Sequence, residues 1–375
     1  MKIIVIGGGI TGLCVSLDLT LRGFEVILIE KEIVGVGTTK CAYMLHSGAR
    51  YLVRNIKIAK LCFKENSIWR RMIPFAIDIS RKGIFVVLDK YDKEYVKVFN
   101  ERKDKFDIET IYRQECFSEV PNLSDSVQWG YKTYDFVLNN SLVVQAFKKE
   151  LLNRGVTIYE NTEIASANFK NNTWKILLTN KNNYIKANGI INAAGYGISS
   201  AILSLGGKPI FHLKYIHGSM ALFNKKLSNQ IISVCGDNFV GDVIIPFNQY
   251  TLIGSTWHEI PHCKRIFISP NDKNEIYTNT IKILPEIKNT KLISFISGIR
   301  VHYEKRSQFK KIRSGPDGFN IIDHRDLPNI VTILPGKFVL ARIAAKHAVD
   351  ILLRKIIKGR IPMSQTHEFM FQSRS

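Results

Sequence analysis

The sequence predicts an α/β fold in which a parallel sheet and its helices are interleaved with a mostly antiparallel β-sheet. Three observations carry this expectation. The apolar run Ile3-Ile4-Val5-Ile6 leads straight into Gly7-Gly8-Gly9-Ile10-Thr11-Gly12. A second apolar run, Ile190-Ile191, ends in a comparable junction, Asn192-Ala193-Ala194-Gly195. Between residues 205 and 300 lie several short β-like runs, after which α/β patterning returns.

Residues 3–6 read as a buried strand, since no polar residue interrupts them. Residues 11–21 read as a helix ended by Arg22-Gly23, and Glu25–Ile29 as a second strand. Gly7 provides a tight turn, Gly9 allows close approach of a pyrophosphate, and Gly12 allows the helix to pack on the strand. The helix N-terminus offers unpaired N–H groups to phosphates. Glu30 ends the second strand, where it can accept hydrogen bonds from a ribose diol and would repel a 2′-phosphate. A glycine motif alone is weak, and a glycine-rich turn in an ordinary α/β domain is its alternative. Strand, helix, second strand and terminal acid in one order predict a Rossmann-like, dinucleotide-binding unit.

A flexible loop through Gly35, Gly37, Thr38 and Thr39 follows. Residues 56–71 are expected to be helical, with Leu61, Phe63 and Ile68 available for a buried stripe. Gly83–Leu88 and the region 131–138 look like strands, separated by charged, mixed sequence. A helix over 141–153 ends at Arg154-Gly155, and a strand follows over 156–159. Residues 174–179 pair with 184–186 across a polar Asn-Lys-Asn turn. The runs 218–223, 243–246, 251–254 and 291–297 suggest the antiparallel layer. The tail offers Ile330–Leu334, then Pro335-Gly336-Lys337, then a helix over 338–357. The expected division is discontinuous. Residues 1–80, 141–205 and 301–375 form the dinucleotide-binding domain, and 81–140 with 206–300 form a substrate-binding domain.

The 375 residues can bury a large core, and 45% hydrophobic with 23% charged content is ordinary for a soluble globular protein. The net charge of +21 is spread through the chain, with no dense basic block and no zinc or RNA-binding motif, so nucleic acid is not an expected partner. A basic surface favours anionic substrates and an anionic membrane face. The six cysteines (Cys14, Cys41, Cys62, Cys116, Cys235, Cys263) form no CxxC pair, which suits reduced thiols and no metal site. Cys14 is expected in the core. The first strand begins at residue 2 or 3, leaving no signal peptide. No apolar run reaches the roughly 18 residues of a membrane span. The expected location is cytoplasmic, with any membrane contact peripheral at the cytoplasmic face.

Several motifs occur together in one order: Gly7–Gly12, His46-Ser47-Gly48-Ala49-Arg50-Tyr51, Asn192-Ala193-Ala194-Gly195, Ile253-Gly254-Ser255-Thr256, Ser297-Gly298-Ile299-Arg300 and Gly336-Lys337. The order resembles the FAD-dependent glycerol-3-phosphate dehydrogenases, within the D-amino-acid-oxidase-like flavoproteins. It most resembles the catalytic subunit of the bacterial anaerobic enzyme, and the likeness covers nearly the whole chain. The resemblance implies FAD as cofactor and oxidation of sn-glycerol 3-phosphate to dihydroxyacetone phosphate by hydride transfer to flavin N5. Electrons then pass to a quinone, directly or through partner subunits.

By the same resemblance, Arg50 and Arg300 face the substrate, where a guanidinium can hold phosphate oxygens in bidentate fashion. Tyr51 adds a phosphate hydrogen bond or simply packs. His46 lies beside the flavin and is a candidate proton acceptor, with His217 a second candidate. Lys337, behind Gly336 at the start of the last helix, stabilises negative charge on the flavin N1–C2=O edge. Cofactor contacts are expected from Gly7, Gly8, Gly9, Thr11, Gly12, Glu30, Thr38, Thr39, Ala194, Gly195, Gly336 and Lys337.

Some positions depart from the family pattern. Pro335-Gly336 stands where two glycines are usual, and Val339-Leu340-Ala341-Arg342 replaces a hydroxyl-rich run. Val301 replaces a proline, and Asn139 an aspartate. The catalytic protein of the anaerobic enzyme carries a further cysteine-bearing domain, whereas no cysteine follows Cys263 here, so no iron–sulfur centre is expected within this chain. Two alternatives keep the fold. One is a 2-hydroxyacid dehydrogenase or amine oxidase, which also needs arginine for a carboxylate. The other is a non-catalytic flavoprotein.

Overall fold

The computed structural model describes residues 1–40, 42–209, 212–236, 241–261, 268–304 and 318–372. A six-stranded sheet runs in the order Asn320–Asp323, Ile330–Leu334, Gly189–Asn192, Lys2–Ile6, Glu25–Ile29, Thr157–Tyr159. Every neighbouring pair is parallel except the edge strand Asn320–Asp323, which runs antiparallel to its neighbour. Both apolar runs read from the sequence are central strands of this sheet, with Val5 opposite Leu28 and Ile191. Central parallel strands are covered on both faces, which explains their unbroken Ile and Val content. One cover is the helix Ile10–Leu21, which buries Leu13, Cys14 and Leu17. The other partner in that layer is the helix Ala341–Ile356, whose Ala344, Ala345 and Ala348 are small enough for close helix contact.

The second large sheet has nine strands and is antiparallel except for one pair, Ile232–Val234 beside Gly83–Leu88. Its long central pair, His212–Phe223 with Leu292–Glu304, sets Gly218 opposite Gly298 and Ile216 opposite Arg300. The expected polar hairpin is present and gains a third strand, Ile164–Lys170, that the residue pattern did not predict.

Two expectations need correction, and one stretch for which no element was read is structured. The region 131–138 is two strands, Val127–Thr133 and Phe136–Leu138, in different sheets. The charged stretch before it is structured, with helices Lys93–Lys103 and Arg113–Glu119 and the strand Glu109–Tyr112. The helix Ile56–Met72 buries Ala59, Cys62, Ile68, Trp69 and Met72, while Leu61 and Phe63 are only partly covered. That stripe also contains Glu65, because Arg342 neutralises it: Nε and Nη2 of Arg342 donate to the two Glu65 oxygens at 2.7 and 2.5 Å. The network continues through Thr366 and Ser364 to Asp18, then to Arg22 and Asp350, tying the tail to both core helices.

Among the described residues no helix is long and apolar enough to cross a membrane. Cys14, Cys62, Cys116 and Cys235 are buried, and burial pushes the Cys116 thiol up to about 11. Cys41 and Cys263 lie outside the described residues.

Candidate active site

A cavity of about 1030 Å³ runs from the N-terminus of the first helix to the face of the antiparallel sheet. Its volume lies at the top of the range of roughly 300–1,000 Å³ for small-molecule sites. At one end, Gly7 adopts φ +102°, and a Cβ there would sit 2.6 Å from the Ala193 carbonyl oxygen. A Cβ on Gly12 would lie 1.8 Å from the Gly7 carbonyl oxygen. These contacts pack the helix start against the two strand ends. Gly9 and Gly195 instead face open space, where a Cβ would meet only Thr38 Oγ1 at 3.7 Å or nothing. Thr38 Oγ1 accepts the Ile10 N–H at 2.8 Å and steadies the helix start.

Glu30 is buried at the cavity wall, its carboxylate fixed by the N–H groups of Gly8 (2.6 Å) and Glu32 (2.9 Å). Each oxygen keeps capacity to accept a ribose hydroxyl. Gly8, Gly12 and Thr39 shape this end without lining it, and the Thr39 hydroxyl donates to the Val36 carbonyl. Tyr196 was not legible as a site residue. Its hydroxyl donates to Glu32 at 2.7 Å, and Lys31 Nζ lies 4.1 Å from its ring centroid.

At the other end the His46–Tyr51 stretch is built by buried polar supports. Asn66 Nδ2 donates to the His46 and Tyr134 carbonyls, and Asp135 accepts the Ser47 N–H at 2.6 Å. Gly48, at φ +96°, turns the chain where a Cβ would strike the Ala59 carbonyl oxygen at 2.5 Å. The short turn Ala49–Tyr51 then carries Arg50 and Tyr51 to the cavity wall. Arg50 forms a buried ion pair with Asp242, a partner supplied by the antiparallel layer. The Tyr51 ring lies 6.4 Å from that of His46 and 5.7 Å from Lys337 Nζ. Lys337 caps a short 3-10 turn, Phe338–Leu340, that leads into the last helix, so it does not open the long helix directly.

Arg300 reaches the same end from the Leu292–Glu304 strand. Its guanidinium lies on Gly218, where a Cβ would sit 2.7 Å from Cζ and both terminal nitrogens. Nη2 donates to Ser255 Oγ at 2.6 Å and Nη1 to the Thr256 carbonyl at 3.3 Å. His46, Arg50, Tyr51, Arg300, Gly336 and Lys337 all line the cavity, as do Gly7, Gly9, Thr11, Thr38, Ala194 and Gly195 at the other end.

His217 does not reach the cavity. It is fully buried, 3.3 Å from Ser219 Oγ and stacked on His258. Two histidines on the wall were not legible in advance, His258 and His302. Burial, then Lys337 and Arg50, pull His46 down to about 3. Burial, then Lys337 and Arg300, pull His302 down to about 4. Both rings are therefore neutral at neutral pH.

A parallel sheet with an open, glycine-lined helix N-terminus, an acid ending the second strand and a shared cavity against an antiparallel layer define a dinucleotide-binding protein. The sequence profile of the FAD dependent oxidoreductase family matches residues 2–350, and the chain belongs to that family. FAD is accordingly its cofactor, and the walls described above fit it. The chain is 24% identical over 372 residues to a subunit of the anaerobic glycerol-3-phosphate dehydrogenase of Haemophilus influenzae. It is 25% identical over 379 residues to the corresponding subunit from Escherichia coli. The alignments take in 95% and 94% of this chain but 65% and 67% of those proteins, so it spans about two thirds of their length. Among solved structures, an FAD-bound L-α-glycerophosphate oxidase from Mycoplasma pneumoniae superposes with a TM-score of 0.77 at 17% identity, covering 96% of this chain and 97% of that one. Glycine oxidase from Geobacillus kaustophilus gives 0.75 at 14% identity, covering 100% and 99%. At these identities the likeness to solved structures speaks for the fold.

Proposed function

We propose that the protein oxidises sn-glycerol 3-phosphate to dihydroxyacetone phosphate and passes the electrons to a quinone, directly or through partner subunits. The observation that carries this reading is the convergence of Arg50, Arg300 and Lys337 on one end of the cavity, with His46 and His302 held neutral between them. With Asp242 paired to Arg50, this end of the cavity still carries the net positive charge of Arg300 and Lys337, which favours a dianionic head group over a zwitterionic amino acid. The similarity to the dehydrogenase subunits along most of the chain supports the same substrate.

In this reading residues 1–80, 141–205 and 301–375 bind FAD, and 81–140 with 206–300 bind substrate. When bound, FAD supplies the two-electron acceptor. Gly9, Thr11 and the first helix N-terminus receive its phosphates, and Glu30 the ribose diol. Arg300 binds the substrate phosphate in its fixed planar orientation, supported by Ser255 and Thr256. Arg50 joins it when the phosphate displaces part of the Asp242 contact. Lys337 stabilises negative charge beside Tyr51. The basic surface, with its formal charge of +21, suits a peripheral contact with an anionic membrane at the cytoplasmic face.

The test is an anaerobic titration of the FAD-loaded protein with sn-glycerol 3-phosphate, with glycine, L-proline and lactate as competitors. Bleaching of the oxidised flavin band by the phosphate alone is the expected result. Bleaching by an amine or a hydroxy acid would move the substrate class. A bound flavin that none of them reduces would favour a non-catalytic role.

A further inference from the structure

The dinucleotide end of the cavity carries a contact that neither the helix N-terminus nor Glu30 accounts for. Tyr196 stands in the short 3-10 turn Gly195–Gly197, which follows the strand Gly189–Asn192. Asn192 holds that turn: its Oδ1 accepts the Ala194 N–H at 3.2 Å, and its Nδ2 donates to the Ile198 carbonyl at 3.2 Å. Glu32 follows the strand Glu25–Ile29. Its N–H donates to Glu30 at 2.9 Å, and its carbonyl accepts the Asn161 N–H at 2.8 Å. The two backbones are thus fixed on either side of Lys2–Ile6, the strand that lies between the other two in the sheet.

Neighbouring strands lie about 4.8 Å apart, so these two strand ends are separated by about 10 Å. The Tyr196 hydroxyl closes the gap by donating to Glu32 Oε1 at 2.7 Å. Lys31 Nζ adds to the bridge, 4.1 Å from the Tyr196 ring centroid and 3.8 Å from Glu32 Oε1. All three residues line the cavity, yet the side chains of Lys31 and Glu32 are 38% and 45% exposed. One side of the bridge therefore meets the cavity and the other meets solvent. It spans the end of the strand that feeds Gly7–Gly12, the crevice in which a doubly wound sheet holds its dinucleotide. A ribose at Glu30 puts its base further out, beside Lys31 and Glu32, where Thr162, Ile164 and Ala201 complete the wall.

We propose that Tyr196, Glu32 and Lys31 form a clasp over the adenosine half of FAD and set the rate at which the cofactor is released. The inference rests on FAD as the cofactor and holds whichever substrate is oxidised. Departure of the adenosine requires the Tyr196–Glu32 bond to open, so the bond adds to the barrier for release, the step through which affinity is mostly tuned. Its acceptor is a carboxylate, which makes it one of the stronger kinds of hydrogen bond. Because the bridge is half exposed, the low end of the worth of such bonds applies, a factor of about ten in rate.

The test follows FAD release from the holoprotein after dilution, as the flavin that passes a size-selective filter over time. Tyr196→Phe removes the hydroxyl and keeps the ring on which Lys31 lies, and it should release FAD about tenfold faster than wild type. Glu32→Ala removes the acceptor and should do the same. The double variant should release no faster than Glu32→Ala alone, because the bond is already lost there. The apoproteins of wild type and Tyr196→Phe should melt at the same temperature, since the clasp acts on the cofactor and not on the fold. Release from Tyr196→Phe at the wild-type rate would overturn the proposal. So would a double variant accelerated by the product of the single effects, or a Tyr196→Phe apoprotein destabilised as much as its holoprotein.

Discussion

Gly218→Ala is a one-carbon test of the anion site. Gly218 has no positive φ, so alanine is compatible with the strand backbone. The added Cβ would fall 2.7 Å from Cζ, Nη1 and Nη2 of Arg300. Carbon contacts settle at about 3.5–4.0 Å, so the guanidinium must retreat by about 1 Å. The clash is with the end of a flexible side chain, and stability should change by no more than about 0.5 kcal/mol. The retreat instead breaks the geometry set by the bonds to Ser255 Oγ and the Thr256 carbonyl. Charge-assisted hydrogen bonds are worth about 1.5–3 kcal/mol each, so losing one to substrate weakens binding by about tenfold to about a hundredfold. Anaerobic flavin reduction at increasing sn-glycerol 3-phosphate reads this as a raised half-saturation point, while dithionite reduction serves as the control for an intact flavin. An unchanged half-saturation point in a folded, flavin-bound Gly218→Ala protein would refute the placement of Arg300 at the anion.

The remaining predictions concern charge. Arg342→Met leaves Glu65 buried without its partner and should cost about 3–5 kcal/mol; the double variant Arg342→Met/Glu65→Leu should recover much of this, and thermal melts that show equal losses for both would refute the pairing argument. Asp242→Asn leaves the Arg50 guanidinium buried without its carboxylate. The melting temperature should then rise more on adding substrate or inorganic phosphate than in wild type, since an anion replaces the lost charge; an equal rise would show that Arg50 does not meet the anion. His46 and His302 are depressed from 6.5 to about 3 and about 4, so the unfolded chain binds more protons in the window between. Their contribution to stability is present above pH about 6.5 and is lost as pH falls towards those values. His302→Gln should flatten the acid-side slope in denaturant titrations, and an unchanged slope would sink that assignment.

What was legible in the sequence was local. The strand, glycine turn, helix and Glu30 occupy consecutive residues, and each shape follows from neighbours a few positions away. The segment between Gly83–Leu88 and the 127–133 strand was not legible, because its helix Lys93–Lys103 is rich in Lys and Glu and buries only Tyr95, Val96 and Phe99. Arg50 and Arg300 could be named through motif order. Nothing near Arg50 in the sequence points to Asp242, 192 positions away, as the carboxylate that holds it. His258 and His302 stand on strands without a recurring spacing, and only the sheet register decides which face each ring takes, His302 against Trp257 and His258 against His217 and Asp272.

The departures from the family pattern bear on whether the site works. In the stretch after Lys337, Val339 and Leu340 are core residues, and the Val339 carbonyl accepts Trp69 Nε1 at 2.9 Å. Arg342 points into the Glu65 pair. Of residues 338–342 only Phe338 lines the cavity, so the hydroxyls missing there are replaced by packing against the Ile56–Met72 helix. Asn139 caps the helix Asn140–Asn153 by accepting the Leu142 N–H at 3.1 Å, a task aspartate performs equally well. Val301 and Pro335 are departures at the cavity wall, and both change shape without removing charge. A site released from function has no reason to keep three cations, two of them arginines held by specific acceptors, around a cavity. Asp242 offsets the charge of Arg50, while Arg300 is held by the neutral acceptors Ser255 and Thr256, so a bound anion would return part of the cost of desolvating it. The substitutions fall mainly where they serve the core, while the costly charges persist at the wall. This distribution weighs against a non-catalytic role.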